Sequence, residues 1–385
     1  MPLDLLSVEK PARYMGGEMG SLVKPSVDLR IALAFPDVYE VGMSHLGLRI
    51  LYQILNNLDG IAAERVYTPW PDMAAQMAAE QAPLTTLETA TPLTETDIIG
   101  FTLQYELSCT NILTMLRQAA IPVRSADRAH GWPLIIGGGP GAYNPEPLAP
   151  FFDAFLLGDG EEAVLEIAQC VQNWKQSGNG DKQELLEQLA TISGVYVPSF
   201  FKLAYHDDGR VAAVQPLKPG YTTVRRRFLP DIEAAAFPDS PIIPFLKTIH
   251  DRVAIEVARG CTRGCRFCQA GYIYRPLRER SPQRINELIE ASLKNTGYEE
   301  ISLLSLSTGD YSCIAPLLQE LMTRHAQGRV AVSLPSLRVG TLTPELIEEI
   351  RKVRKTGFTL APEAGSERMR RVINKGISEQ DLLDG

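Results

Sequence analysis

Short, almost purely apolar runs alternate with amphipathic stretches through the first half of the chain. Arg30-Ile31-Ala32-Leu33-Ala34-Phe35-Pro36 is the first such run. Its lack of polar alternation is what a strand covered on both faces of a parallel sheet requires. A helical pattern follows from about Ser44 to Asn57. The rhythm then repeats. Asp97-Ile98-Ile99-Gly100-Phe101-Thr102 leads into a helix near Cys109 to Ala120, and Leu134-Ile135-Ile136 runs into Gly137-Gly138-Gly139. Ala154-Phe155-Leu156-Leu157 runs into Gly158-Asp159-Gly160 and a helix to about Gln176. Repeated βα units predict an α/β fold with a doubly wound parallel sheet over residues 27–175, whose ligands bind at the carboxyl ends of the strands. Residues 1–26 precede it as an N-terminal extension.

The pattern weakens over 176–249. Ser177-Gly178-Asn179-Gly180-Asp181 is a polar turn, Gly194-Val195-Tyr196-Val197-Pro198 a short strand, and His206-Asp207-Asp208-Gly209-Arg210 a hairpin-like turn. Prolines 216, 219, 230, 238, 241 and 244 forbid long helices, since proline lacks the backbone donor and clashes with the preceding turn. This stretch is expected to be an extended bridge between two domains. The βα rhythm resumes in 250–385, with strands at Val253 to Val257, Glu300 to Leu306, Val330 to Leu334 and Phe358 to Ala361. Ser281-Pro282 and Thr343-Pro344-Glu345 are helix starts, with a capping hydroxyl and proline in the first turn. The chain stops at Asp384-Gly385 in a helical pattern, so C-terminal strands of a barrel are expected to be missing.

Composition adds bounds. The chain has 385 residues, 45% of them hydrophobic, and a formal net charge of −8. That length suits two or three domains, and no window approaches the ~20 apolar residues of a membrane helix. The charge argues against a surface that is basic all over, so nucleic-acid contact would need a local patch. Arg225, Arg226 and Arg227 are one candidate, read as solvated charge, and Arg275, Arg278 and Arg280 another. The first residues, MPLDLLSVEKPARY, carry no apolar signal core, and a cytoplasmic protein is expected.

Half of the six cysteines, Cys261, Cys265 and Cys268, sit within eight residues. A four-iron cluster needs four ligands, so a loop that supplies three thiolates leaves one iron free for a substrate or cofactor. A structural zinc site would want a fourth Cys or His nearby. The nearest candidates, His250 and Cys313, lie 11 residues before Cys261 and 45 after Cys268. A disulfide would leave one thiol over. Cys109, Cys170 and Cys313 are isolated and read as small core hydrophobes.

The spacing C-x3-C-x2-C, with Phe267 before the third cysteine, resembles the signature of the radical SAM superfamily. The resemblance implies a 4Fe–4S cluster on Cys261, Cys265 and Cys268, with S-adenosylmethionine on the fourth iron and an external flavodoxin- or ferredoxin-like electron donor. Ser307-Thr308-Gly309-Asp310 stands where that superfamily commonly has a Gly-Gly-Glu that binds the methionyl amine, so Thr308, Gly309 and Asp310 are candidate cofactor residues. Arg338 could pair with the cofactor carboxylate, a surface salt bridge being its other reading. Pro362-Glu363-Ala364-Gly365-Ser366-Glu367-Arg368 resembles the G-x-E-S-G-S-E element of the methylthiotransferase-like branch, with Glu363 toward ribose or substrate and Ser366 beside it or as a helix cap.

A flavodoxin-like domain before such a loop is similar to the cobalamin-binding class. Thr102 falls where that domain commonly has a serine along the corrin, and Gly137 and Gly138, with Gly139, match its glycine turn. The cobalt-ligating D-x-H-x-x-G is absent, because Asp37 is followed by Val38, Tyr39 and Glu40. His45 is at the wrong spacing and reads as a helix-start residue. Together with Lys10-Pro11-Ala12-Arg13-Tyr14 and Arg275-Pro276-Leu277-Arg278-Glu279-Arg280, the chain resembles the bacterial B12-binding radical SAM proteins. The resemblance implies a cobalamin-type α/β domain followed by a partial radical SAM barrel, and methyl transfer to an unactivated carbon of a small-molecule or RNA-linked substrate. A methylthiotransferase-like or rearrangement enzyme without B12, and a non-catalytic Fe–S sensor or RNA-binding module, are the alternatives.

Overall fold

The computed structural model describes residues 3–128, 131–178, 180–341, 343–351, 353 and 360–384. They fall into two compact units, one running to Leu229 and taking in Ile242–Ile249, the other made of Pro230–Pro241 and the residues from His250.

The first unit is built on β1 (Leu29–Phe35), β2 (Ile61–Tyr67), β3 (Ile98–Thr102), β4 (Leu134–Gly138), β5 (Ala154–Leu156) and β6 (Val195–Tyr196), in the order β2-β1-β3-β4-β5-β6. The first five are parallel and β6 is antiparallel at the edge. This is the flavodoxin order, and it reverses between β1 and β3, where open α/β sheets hold ligands. Helices α1 (Tyr39–Gly42), α2 (Leu46–Asn56), α3 (Pro71–Glu80), α4 (Cys109–Gln118), α5 (Ala163–Gln176) and α6 (Lys182–Leu189) cover it. Alternate residues of β1 feed two cores. Leu29, Ile31, Leu33 and Phe35 pack with Leu48, Tyr52, Ile167 and Val171, while Ala32 and Ala34 pack with Met73, Met77, Ile112 and Met115. Burial on both faces is why the strand sequence shows no polar alternation.

One reading from the sequence needs correction, and one segment it passed over holds a strand. Between Asn57 and Asp97, β2 runs with every residue buried. Its centre is charged: Arg65 pairs with Glu18 at 2.7 Å and Glu88 at 2.6 Å, and Glu64 pairs with Arg30. The segment 176–249, expected as a bridge, is divided between the units. Helix α6 buries Leu185, Leu186 and Leu189 in the first core, β6 extends the sheet, and β7 (Phe201–Tyr205) and β8 (Val211–Pro216) form a hairpin closed at His206–Arg210. Pro230–Pro241 belongs to the second unit. Residues 217–252 hold no helix, as their prolines require.

In the second unit, β9 (Val253–Glu256), β12 (Glu300–Leu304) and β13 (Ala331–Ser333) form a parallel sheet in the order β13-β12-β9. Between β9 and β12 come β10 (Ala258–Arg259) and β11 (Arg278–Glu279), an antiparallel pair, and the turn α7 (Ala270–Ile273). Helices α8 (Pro282–Thr296), α9 (Ile314–His325), α10 (Pro344–Arg351), α11 (Glu367–Val372) and α12 (Glu379–Asp384) complete it. Ser281 Oγ accepts from Arg284 N–H at 3.1 Å and Thr343 Oγ1 from Leu346 N–H at 3.4 Å, so both expected caps form. The strand expected at Phe358 to Ala361 lies partly outside the described residues. Among the described residues, no helix is long and apolar enough to cross a membrane.

Candidate functional site

Strand β9 and the β10–β11 pair deliver the cysteine loop. At Gly260 the chain takes φ +96, and a Cβ there would lie 2.6 Å from the carbonyl oxygens of Tyr274 and Pro276. Only glycine fits this turn. Beyond it Cys261, Cys265 and Cys268 are free, partly exposed thiols. Arg263 N–H points at Cys261 Sγ (3.5 Å) and Gly271 N–H at Cys268 Sγ (3.3 Å), the kind of donor that stabilises a thiolate and tunes an iron–sulfur cluster. Cys268 N–H donates to Cys265 O at 3.2 Å, folding the C-x2-C step into a turn. Among the described residues no group of three or more His, Cys, Asp or Glu is gathered around one ion position. Three thiols on one loop, two of them met by backbone donors, are a donor set that fits an iron–sulfur cluster.

Asp310 comes to this loop, but as the partner of a residue inside the motif. Arg263 Nε donates to Asp310 Oδ2 at 2.7 Å and its Nη2 to Oδ1, with Ser307 Oγ donating to Oδ2 at 2.7 Å. The hydrogen bonds from Arg263 lead the causes that hold the Asp310 carboxyl below the usual range. Thr308, expected at the cofactor, is fully buried, and its hydroxyl donates to Pro335 O at 2.7 Å. Its side chain therefore serves the fold. Gly309 is glycine for room: a Cβ would come 2.3 Å from Thr341 Oγ1. Phe267 exposes 52% of its surface, and Lys375 Nζ lies 5.9 Å from its ring centre. Lys375 also donates to Glu363 at 3.2 Å, so the Glu363 carboxylate, read as a ribose or substrate contact, is engaged by a neighbour. Ser366 Oγ accepts from Met369 N–H at 3.3 Å and caps α11. Arg338 is half-buried, and its charge is among the causes that hold the Asp310 and Asp381 carboxyls below their usual range.

Sequence reasoning missed three residues here. Arg370, 2% exposed, donates to the carbonyls of Ala364, Gly365 and Ile377 at 2.7–3.1 Å and holds the Glu363 element. Arg263, inside the cysteine loop, ties it to Asp310, and Asn374 holds it from outside. A buried arginine looks like any other in sequence, but Asn374 at a helix end, followed by Gly376, carries a C-cap signal.

In the first unit, the carboxyl ends of β1, β3 and β4 meet at the switch point. His45 Nδ1 accepts from Leu48 N–H at 3.1 Å, capping α2. Its ring lies 5.4 Å from Phe35 and the side chain hydrogen-bonds Gln104. Burial pushes its pKa down to about 4. Tyr105 donates to Asp37 at 3.1 Å across the same edge. Thr102 ends β3 opposite Gly138. The three glycines differ in their reasons. A Cβ on Gly137 would press on Phe155 and Leu103 at 2.8–2.9 Å, and Gly139 has φ +97 with Leu103 O 3.0 Å from its Cβ position. Gly138 has neither constraint, and a Cβ there would meet nothing within 4 Å. Open backbone at a strand end is what a ligand needs for close approach. Thr102 and Gly138 thus border an open strand-end edge, with His45 Nδ1 engaged in capping α2.

A flavodoxin-order sheet in one unit, and in the other a three-cysteine loop after the first strand of a parallel sheet, define an α/β protein with a candidate cluster loop. Residues 255–385 match the model of the radical SAM superfamily, and residues 47–198 that of the N-terminal region of radical SAM proteins. The chain thus carries both radical SAM domains, which places it among the radical SAM enzymes. An uncharacterized protein of Methanocaldococcus jannaschii is 27% identical over 356 residues, covering 92% of this chain and 65% of its own length. A tRNA-2-methylthio-N(6)-dimethylallyladenosine synthase of Pelotomaculum thermopropionicum is 26% identical over 142 residues, 34% of this chain and 31% of that protein. Among solved structures, the radical S-adenosylmethionine methyltransferase TsrM from Kitasatospora setae, with cobalamin and a 4Fe–4S cluster bound, matches with a TM-score of 0.53 at 15% identity. That match covers 89% of this chain and 62% of TsrM. At such identity the likeness is one of fold.

Proposed function

We propose that this chain is a cobalamin-dependent radical SAM enzyme that transfers a methyl group to an unactivated carbon of a small-molecule or RNA-linked substrate, in the cytoplasm and with a flavodoxin- or ferredoxin-like electron donor. The observation that carries the reading is the cysteine loop, three thiols presented together with backbone donors on Cys261 and Cys268. A four-iron cluster there would supply the electron that cleaves S-adenosylmethionine to a 5′-deoxyadenosyl radical. The protein's own part is to hold and orient. Cys261, Cys265 and Cys268 would bind the cluster, Phe267 would wall its exposed side, and the Arg338 guanidinium, whose charge also acts on Asp310 and Asp381, would pair with the cofactor carboxylate. The Lys375–Glu363 pair and the Arg370-held turn fix the loop that follows. In the first unit, the open Gly138 edge and Thr102 would receive the cobalamin. The TsrM-like fold and that open edge favour cobalamin.

A methylthiotransferase-like reaction without B12 is the second reading, favoured by the match to the tRNA-modifying synthase and by the Glu363 element. Titration of the whole chain with hydroxocobalamin tests the choice. Binding should shift the cobalamin absorbance, and the reduced Co(II) EPR spectrum should lack nitrogen hyperfine splitting from a protein ligand. Splitting that vanishes in His45→Ala would contradict the account of His45, and absence of binding by the folded chain would favour the second reading.

A further inference from the structure

The end of α11 reaches back to the cysteine loop across more than a hundred positions of sequence. Asn374 Nδ2 donates to Gly264 O at 2.8 Å and Arg263 O at 3.4 Å. The Ile373 carbonyl accepts from Arg266 N–H at 2.9 Å, and the Val372 carbonyl from the Arg266 guanidinium. All these bonds land between Cys261 and Cys268. Gly264 stands at φ +70, and its Cβ position is 3.5 Å from Asn374 Nδ2. Glycine therefore leaves the carbonyl in reach of the amide. From its other flank the loop is gripped by Asp310 through Arg263, and Arg263 N–H is the donor that meets Cys261 Sγ.

We propose that Asn374 is a positioning residue for the metal cluster, fixing through the Arg263 and Gly264 carbonyls both the aim of Arg263 N–H at Cys261 and the step from Cys261 to Cys265. The inference rests on the reading that this loop carries a cluster. Asn374 has a second, simpler use. It sits just past the helix at φ +57, a left-handed position that asparagine takes readily. The helix end needs only the backbone, whereas the grip on the loop needs the side-chain amide. Asn374→Gly keeps the conformation and deletes the amide; Asn374→Asp keeps the size and turns a donor toward two carbonyls into an acceptor.

The test compares the wild-type chain with these two variants after anaerobic reconstitution with iron and sulfide. Both variants should melt with the wild type, yet lose iron to a chelator about 10–100-fold faster, the usual penalty for removing an outer hydrogen bond at a metal site. Their reduced EPR spectra should shift. In the metal-free chains, alkylation of Cys261 and Cys265 should be faster than in the wild type, a readout that needs no cluster. Iron loss and alkylation at the wild-type rate in Asn374→Gly would show that Asn374 only ends the helix and would overturn the inference. A wild-type chain that takes up no iron would overturn the cluster reading instead.

Discussion

His45 shows how one side chain can be committed by its neighbours. Its Nδ1 accepts from Leu48 N–H, so the cap requires the neutral ring. Burial is the largest cause lowering its pKa to about 4, the Arg49 charge adds to it, and the hydrogen bond with Gln104 opposes it. The unfolded chain therefore binds the proton first, near the ordinary value of 6.5. Stability linked to His45 is present above that pH and declines as the pH falls toward 4. Urea unfolding should show this loss between pH 7 and 5, and His45→Asn, which retains a capping acceptor, should show less of it. Tryptophan fluorescence reads the relevant unit, because Trp70, Trp132 and Trp174, the only tryptophans of the chain, all lie in it. Equal pH dependence in the two proteins would mean that the ring is not the group that titrates.

At the scale of elements, β2 explains what sequence reading could and could not find. Strands β1, β3, β4 and β5 were legible within a residue or two, because burial on both faces demands uninterrupted apolar side chains. Strand β2 has the same burial but carries Glu64 and Arg65, whose partners Glu18, Arg30 and Glu88 come from distant positions. No local pattern announces such pairing. The cysteine trio was legible as a group for the opposite reason, since its three thiols are close in sequence. The residues that hold its loop, Asp310 and Asn374, are 47 and 110 positions from their partners. The β2 pairs make a direct prediction. Arg65→Met should cost about 3–5 kcal/mol, because it leaves Glu18 and Glu88 buried without their counter-charge. Fluorescence-detected urea unfolding of the first unit measures it, and a loss well under 1 kcal/mol would mean that water reaches those carboxylates.

For the whole molecule, the proposed function divides between the two units. The flavodoxin-order sheet offers a strand-end crevice, and the cysteine loop beside the parallel sheet is the proposed cluster site. The fold follows from these features, the cofactors belong to the proposal, and the acceptor depends on substrate contacts that neither unit spells out. The chain also spans 65% of its Methanocaldococcus relative, so the reaction of the whole protein rests on experiment. The central claim is the open cluster on Cys261, Cys265 and Cys268. The most direct measurement is iron content and EPR of the anaerobically reconstituted chain, with and without S-adenosylmethionine. The account expects about four irons per chain, a reduced-cluster signal that changes when S-adenosylmethionine is added, and loss of both in each of Cys261→Ala, Cys265→Ala and Cys268→Ala. Stoichiometric zinc without iron, or a cluster signal indifferent to S-adenosylmethionine, would contradict it.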